Sequence, residues 1–316
     1  MSAMDDRTTL VLGGSGFVGR HLVARLAAAG RRVVVPTRQR ERAKHLILLP
    51  TVDVVEVDVH DEAVLARLAR RASVVVNLIG ILNEPRRGEF DRVHVDLARK
   101  LVAACGVAGV SRLLHMSALN ADPKGPSRYL RTKGEAEAIV ATSGLAWTIF
   151  RPSVIFGRED SFLNLFAKLE RMMPVLPLGS SGARFQPVFV GDVARAFEAG
   201  TDDDTALQQR YNLCGPKVYT LRELVAYVGE LTGYKRPILS LGRGLSRLQA
   251  RVLEWFPGPL MSRDNLASME RDNVCDGSAF SHLGFPPTAL EAVAPGYLAA
   301  GAVKSRYDEF RAQSGR

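Results

Sequence analysis

Nowhere do the 316 residues contain the ~18 consecutive apolar residues of a membrane-spanning helix. The N-terminus shows no signal-peptide pattern, so neither a spanning helix nor secretion is expected. Cysteine is scarce: Cys105, Cys214 and Cys275 are the three present. Scattered, odd in number and without metal-ligand spacing, they argue against a metal site and point to a reducing compartment. The six histidines, His21, His45, His60, His94, His115 and His282, show no metal pairing. Each is expected to be structural, with His115 a satisfied residue of a buried strand. Nucleic-acid-binding motifs are also missing, despite a net charge of +9. The densest basic group, Arg31, Arg32, Arg38, Arg40, Arg42 and Lys44, carries no interleaved stacking aromatics. Nucleic acid is therefore not an expected partner. A phosphate-rich cofactor, together with an acidic partner or an anionic membrane surface, accounts for the charge.

Apolar residues make up 47% of the chain, enough for one large domain with a smaller appendage. The most informative stretch is Gly13-Gly14-Ser15-Gly16-Phe17-Val18-Gly19, between the apolar run Leu10–Leu12 and the helical stretch that follows. A strand running into a glycine turn that opens a helix is the context in which such glycines hold a dinucleotide. Gly13 can make the tight turn, Gly16 admits the pyrophosphate, and Gly19 lets the helix pack on the strand. The amide groups and positive dipole end of the helix then face the phosphates. An ordinary strand–turn–helix corner is the competing reading.

Short apolar runs alternate with amphipathic stretches through the first half, the signature of βαβ units. Strands are predicted at Thr9–Leu12, Arg32–Pro36, Val52–Val57, Ser73–Ile79, Arg112–Met116 and Trp147–Phe150. Helices are predicted at Phe17–Ala29, Arg40–Leu48, Glu62–Ala72, Phe90–Cys105 and Ser127–Thr142. The fold class is α/β: a doubly wound, Rossmann-type parallel sheet with a smaller, mostly helical C-terminal lobe. The nucleotide-binding core is assigned to residues 1–155, with 185–213 completing the sheet. There Gln186–Val190 reads as a further sheet strand, Asp192–Gly200 as its helix and Tyr211–Leu213 as another strand. Residues 156–184 and 214–316 form the lobe, whose helices are predicted at Leu221–Thr232, Leu245–Trp255, Arg263–Glu270 and Leu290–Gly301, ahead of a polar tail after Lys304.

A carboxylate at the end of the second strand would select NAD by bonding the ribose hydroxyls. Here Val35-Pro36-Thr37-Arg38-Gln39-Arg40 has none, and Arg38 offers a planar fork for a 2′-phosphate. NADP(H) is therefore favoured over NAD(H), unless Arg38 is simply a solvated loop residue. Asp58, followed by Val59, either meets the adenine amino group or caps the helix starting near Asp61. Leu78 and Gly80 end the fourth strand, where Gly80 either admits the cofactor or merely terminates the strand.

Tyr129 and Lys133 form a YxxxK pair on one helical face, and Ser117 follows the fifth strand. The set suits carbonyl reduction or alcohol oxidation. A free tyrosine, with a pKa of about 10, transfers protons poorly at neutrality, and a nearby ammonium is expected to lower that pKa. Ser117 would orient the carbonyl oxygen and Lys133 would hold the nicotinamide ribose. Cofactor contacts are thus expected from Gly13, Ser15, Gly16, Phe17, Val18, Gly19, Arg38, Asp58, Val59, Leu78, Gly80, Tyr129 and Lys133.

With these elements in order, the chain resembles the extended and atypical short-chain dehydrogenase/reductases. The resemblance places Pro152 and Val154, within Arg151-Pro152-Ser153-Val154-Ile155-Phe156-Gly157, near the nicotinamide. The run Gly157–Phe166, with Pro177-Leu178-Gly179, Gln186-Pro187-Val188 and Asp192-Val193, is similar to the nucleotide-binding accessory subunits of respiratory complex I (alpha-subcomplex subunit nine) and their bacterial relatives. Ser127–Lys133 is similar to that group's version of the active-site helix. The resemblance implies a tightly held NADPH, partners in complex I or quinone metabolism, and ribose anchoring rather than catalysis by Tyr129 and Lys133. The alternative is a soluble NADP-dependent reductase, epimerase or dehydratase; a sensor of the NADPH/NADP⁺ ratio is a third reading. The early Asp5 and Asp6 predict no mitochondrial targeting segment. The Ala/Arg-rich composition suits a bacterial homologue in the cytoplasm, either free or peripheral at the cytoplasmic face of the inner membrane. Leu245, Leu248, Val252, Trp255 and Phe256 share a helical stripe flanked by Arg243, Arg247 and Arg251. It is either lobe core or a membrane- or partner-docking edge.

Overall fold

Thr9–Leu12 is buried at every position, as a strand covered on both faces must be, and forms β1. The computed structural model describes residues 8–254, 261–277 and 279–299. From β1 the chain alternates through α1 (Phe17–Ala28), β2 (Val33–Thr37), α2 (Lys44–Ile47), β3 (Val52–Glu56), α3 (Glu62–Ala69) and β4 (Val74–Asn77). It continues with α4 (Leu97–Ala108), β5 (Arg112–Met116), α5 (Arg128–Ala141) and β6 (Trp147–Pro152). Then follow β7 (Ile155–Phe156), α6 (Leu163–Met172), β8 (Leu176–Gly179), β9 (Arg184–Phe185), β10 (Val188–Phe189), α7 (Val190–Gly200) and β11 (Gln209–Leu213). The remaining described elements are β12 (Tyr219–Thr220), α8 (Leu221–Thr232), β13 (Ile238–Leu241), α9 (Arg243–Leu253), α10 (Arg263–Ser268), α11 (Leu290–Val293) and α12 (Pro295–Leu298).

Two compact units divide the described residues: 8–152, 190–213, 275–277 and 279–286 in the first, and 153–189, 214–254, 261–274 and 287–299 in the second. The first holds a seven-stranded sheet in the order β11-β6-β5-β4-β1-β2-β3, with every neighbouring pair parallel. Strand order reverses beside β1, and the crevice at its carboxyl end is where doubly wound sheets take ligands. Side chains alternate across the sheet. Leu10, Leu12, Val75, Leu113 and Ile149 pack against Leu65, Leu97, Leu101 and Val140 of α3, α4 and α5. On the opposite face Phe150 meets Phe197 of α7 at 4.5 Å between ring centroids. Full burial of each such side chain contributes about 1.5–3 kcal/mol, and this fixes which strand residues point to the site.

The second unit has its own core, built on Phe156, Leu163, Phe166, Phe185, Leu224, Val228 and Leu290. Asp160 organises its entry. Its carboxylate accepts backbone N–H groups of Leu163 at 2.6 Å and Gly157 at 3.1 Å, and the Tyr297 hydroxyl donates to it at 2.9 Å. The buried Asp160 thus satisfies the leading amides of α6 from within the Gly157–Phe166 run.

Several expectations are corrected. Gln186–Val190 does not join the main sheet; β10 pairs in parallel with β7 as a separate ribbon, because two residues of strand suffice for that local partner. The helix predicted at Arg40–Leu48 begins as a 3₁₀ turn at Arg40–Ala43. The one predicted from Phe90 opens with a π-helical turn, Asp91–Asp96. Cys105 is a free, buried thiol pushed up to about 12 by burial. Cys214 and Cys275 are disulfide-bonded, so the reducing-compartment expectation loses its basis: sequence spacing does not reveal which cysteines bond. Trp255, Phe256, the tail after Lys304 and the acidic pair Asp5 and Asp6 lie outside the described residues.

Candidate functional site

The glycine turn is built from backbone. Gly13 has φ +78°, a conformation that glycine adopts without strain, and a Cβ there would lie 3.1 Å from Leu78 C. A Cβ at Gly19 would fall against the Gly13 carbonyl and 2.6 Å from Gly14 Cα. Only hydrogen fits where α1 crosses the turn. Gly16 is the N-cap of α1, with no side-chain cap bond and no acidic residue in the first turn. The leading amides of Phe17, Val18 and Gly19 therefore have no capping side-chain oxygen, and Ser15 and Gly16 lie at the open side of the turn. The polarity suits an anion.

Arg38 follows β2 and is exposed. Asp58 does not cap α3: its Oδ1 accepts the His60 N–H at 3.0 Å, while Asp61 caps the helix through Ala63 and Val64 N–H. The His60 pKa is lowered, by burial first and Arg92 second, with Asp58 opposing and Arg38 adding to the fall. Arg38 and Asp58 thus act on one histidine, next to the buried Val59.

At the far end the groups are buried. Ser127 caps α5 by accepting the Leu130 N–H at 3.1 Å, which puts Tyr129 in the first turn and Lys133 on the same face. Lys133 is 3% exposed, and its Nζ donates to the Met116 carbonyl at 2.6 Å, one residue before Ser117. Burial lowers its pKa to about 8, partly offset by Glu137. A Cβ at Gly80 would lie 3.6 Å from Lys133 Nζ, so β4 and α5 meet at this glycine. Ser117 is buried and its Oγ has no hydrogen-bond partner. The Pro152 carbonyl accepts the Leu119 N–H at 3.0 Å, extending the β5–β6 pairing past Ser117. Val154 falls in the second unit, where its N–H donates to Asn273 Oδ1 at 3.1 Å.

Two expectations fail here. Burial pushes the Tyr129 phenol up to about 12, not down: the low-polarity surroundings disfavour a phenolate. His115 is only half satisfied. Its Nδ1 pairs with Asn77 Nδ2 at 3.2 Å, leaving a buried Nε2 without a partner, while burial and the Lys133 charge lower its pKa to about 3. Sequence reasoning also missed the contacts of His94, Thr132, Glu84 and Arg128. No spacing rule signals them, because they meet only when the β4 loop folds onto α5.

The profile of an NAD(P)H-binding family matches residues 13–164. The mitochondrial NADH dehydrogenase [ubiquinone] 1 alpha subcomplex subunit 9 of Mus musculus is 36% identical over 308 residues, 92% of this chain and 79% of the relative. The chain belongs to the alpha subcomplex subunit 9 family. A ceramide reductase of Caulobacter vibrioides is 34% identical over 194 residues, 61% of this chain and 60% of that protein. Among solved structures, the UDP-glucose 4-epimerase of Thermotoga maritima with UDP-glucose superimposes with a TM-score of 0.71 at 18% identity, covering 95% of this chain and 99% of the other. This subunit 9 relative thus carries an NAD(P)H-binding domain on an epimerase-like fold, and its cofactor is a nicotinamide dinucleotide.

In the second unit, α9 presents Leu245 and Leu248 outward. Leu245 and Leu248 are 59% and 58% exposed, while Ser246 and Ala250 are buried, so these two leucines are not lobe core. Among the described residues no helix is long and apolar enough to cross a membrane, and no His/Cys/Asp/Glu group is arranged to hold a metal ion.

Proposed function

We propose that this protein is an accessory or assembly protein linked to respiratory complex I or quinone metabolism, and that it retains NADP(H). The observation that carries the reading is the state of the Tyr129–Lys133 pair. Lys133 already donates its proton-bearing nitrogen to a buried carbonyl, and the phenol is held protonated. Such a pair anchors a ribose better than it exchanges protons at neutral pH. The resident dinucleotide would bring hydride chemistry. Gly13, Ser15, Gly16, Phe17, Val18 and Gly19 would take its pyrophosphate, and Arg38 its 2′-phosphate. Asp58 and Val59 would flank the adenine. Leu78, Gly80, Tyr129, Lys133 and Pro152 would hold the nicotinamide riboside. The kinship with complex I subunits supports the partner assignment.

A second reading, a reductase, epimerase or dehydratase, is favoured by the unpartnered Ser117 Oγ and by the similarity to a ceramide reductase. There Ser117 would orient a carbonyl oxygen and Tyr129 would protonate it. Turnover separates the two. Accessory function expects no NADPH oxidation across a panel of carbonyl and sugar-nucleotide substrates, for wild type and Tyr129→Phe alike. A wild-type rate that Tyr129→Phe abolishes establishes the enzyme.

The exposed Leu245 and Leu248, beside the exposed Arg247 and Arg251, support peripheral contact with an anionic membrane surface. Flotation with anionic liposomes should carry wild type and leave Leu245→Ser/Leu248→Ser behind. Equal flotation of both rules out this helix as the contact.

A further inference from the structure

His94 sits between the loop after β4 and the helix that carries Tyr129, within the π-helical turn Asp91–Asp96, a local insertion that often marks functional positions. It is 3% exposed. The backbone N–H of Ile81 donates to its Nε2 at 3.1 Å. With Nε2 accepting, the ring proton belongs on Nδ1, which donates to Thr132 Oγ1 at 2.9 Å. The Thr132 hydroxyl in turn donates to the Arg128 carbonyl at 3.0 Å. One tautomer of a neutral ring satisfies the whole chain of bonds. The ring is stacked on Phe90, with centroids 5.5 Å apart, and meets Tyr129 edge-on at 5.8 Å. A Cβ at Gly80 would lie 3.6 Å from His94 Nε2 and equally far from Lys133 Nζ. The acceptor nitrogen of His94 and the buried ammonium therefore face the same glycine.

We propose that His94 is a positioning residue for the nicotinamide end of the dinucleotide: a neutral, two-ended clamp that fixes the Gly80–Ile81 backbone against the Tyr129–Lys133 face of α5. This rests on the reading that Gly80, Tyr129 and Lys133 hold the nicotinamide riboside. Burial and the Lys133 charge lower the His94 pKa to about 2, which keeps Nε2 available as an acceptor. A separate strap holds the outer part of the same loop. Arg128 Nη1 donates to Glu84 at 2.7 Å, and Glu84 accepts the Gly88 N–H at 2.8 Å. Loss of His94 therefore loosens the loop at Gly80 while its outer part stays tied.

The test compares two ligands on the full-length protein by calorimetry: NADPH, and the adenosine-end fragment 2′,5′-ADP. His94→Ala should weaken NADPH by about tenfold and leave 2′,5′-ADP within about twofold. His94→Gln, whose amide accepts and donates at the two ends, should recover most of the NADPH affinity. Thr132→Val should cost NADPH alone about threefold, and it carries the test if His94→Ala does not fold. Equal losses for both ligands, no loss for NADPH, or no recovery by glutamine would overturn the assignment. Wild-type protein that binds 2′,5′-ADP as tightly as NADPH overturns the nicotinamide-end reading beneath it. Wild-type protein that binds neither overturns the dinucleotide reading as a whole.

Discussion

The two ends of the proposed dinucleotide site use opposite materials. At the glycine end the protein offers backbone: a turn at Gly13, uncapped amides at Phe17–Gly19, and exposed charge at Arg38. At the other end it offers buried side chains, with Lys133, Ser117 and His94 each about 3% exposed. The first end depends on the absence of atoms and tolerates water. The second depends on buried hydrogen bonds such as those of Lys133 and His94, in a medium where an unpaired polar group costs about 1–3 kcal/mol. Substitutions at the glycine end should therefore act through steric exclusion or lost phosphate contacts. Those at the buried end should act through hydrogen bonds and pH.

The largest expected effect is at Gly19. Its missing Cβ faces backbone on the neighbouring turn, which cannot rotate aside, so Gly19→Ala must displace α1. We expect NADPH binding to fall by more than about 100-fold and stability by about 3 kcal/mol, read by calorimetry and thermal melting. A variant binding within twofold of wild type would remove the close-packed turn from the account.

That end was also the most legible in the sequence. The strands Thr9–Leu12 and Arg112–Met116 and the helix Leu221–Thr232 stand where apolar pattern and punctuation put them, because local signals and burial agree there. The α/β class and parallel sheet follow from the same alternation. Elsewhere tertiary partners decided. The two residues of β10 found β7 instead of the main sheet, and α9 turned Ser246 and Ala250 inward against its hydrophobic stripe. The network around His94 was invisible because Ile81 and Thr132 are 51 positions apart and meet through a backbone amide. The sign of the Tyr129 shift was missed for a related reason: helical spacing shows that a lysine is near, but not how strongly the site is desolvated.

Next in size is Arg38→Ala. Loss of a charged fork from a 2′-phosphate should weaken NADPH by about 10- to 100-fold and leave NADH unchanged, as measured by fluorescence titration. Equal effects on both nucleotides would mean that Arg38 is a solvated loop residue and that the NADP(H) assignment fails. At the buried end, Tyr129→Phe should reduce NADPH affinity by about three- to tenfold, the value of one neutral hydrogen bond, with 2′,5′-ADP unaffected.

A further effect acts through pH. Lys133 is held at about 8 by burial, against about 10.4 when unfolded. Between these values the unfolded chain binds more protons than the native one, so stability rises with pH. Below about pH 8 the buried ammonium's penalty is fully present; it is relieved as pH climbs towards 10. In denaturant titrations at pH 7.5 and 9.5, wild type should gain stability relative to Lys133→Met. No gain would show that Lys133 is more solvated than its surroundings imply.

We propose above all that the site keeps its dinucleotide rather than cycling it. The direct measurement is mass spectrometric identification of the nucleotide carried by freshly purified protein, followed by its exchange against labelled NADPH. We expect near-stoichiometric NADP(H) that survives gel filtration and exchanges over hours. Protein that emerges empty, carries NAD(H), or exchanges within seconds would contradict the claim and return the Ser117, Tyr129 and Lys133 set to catalysis.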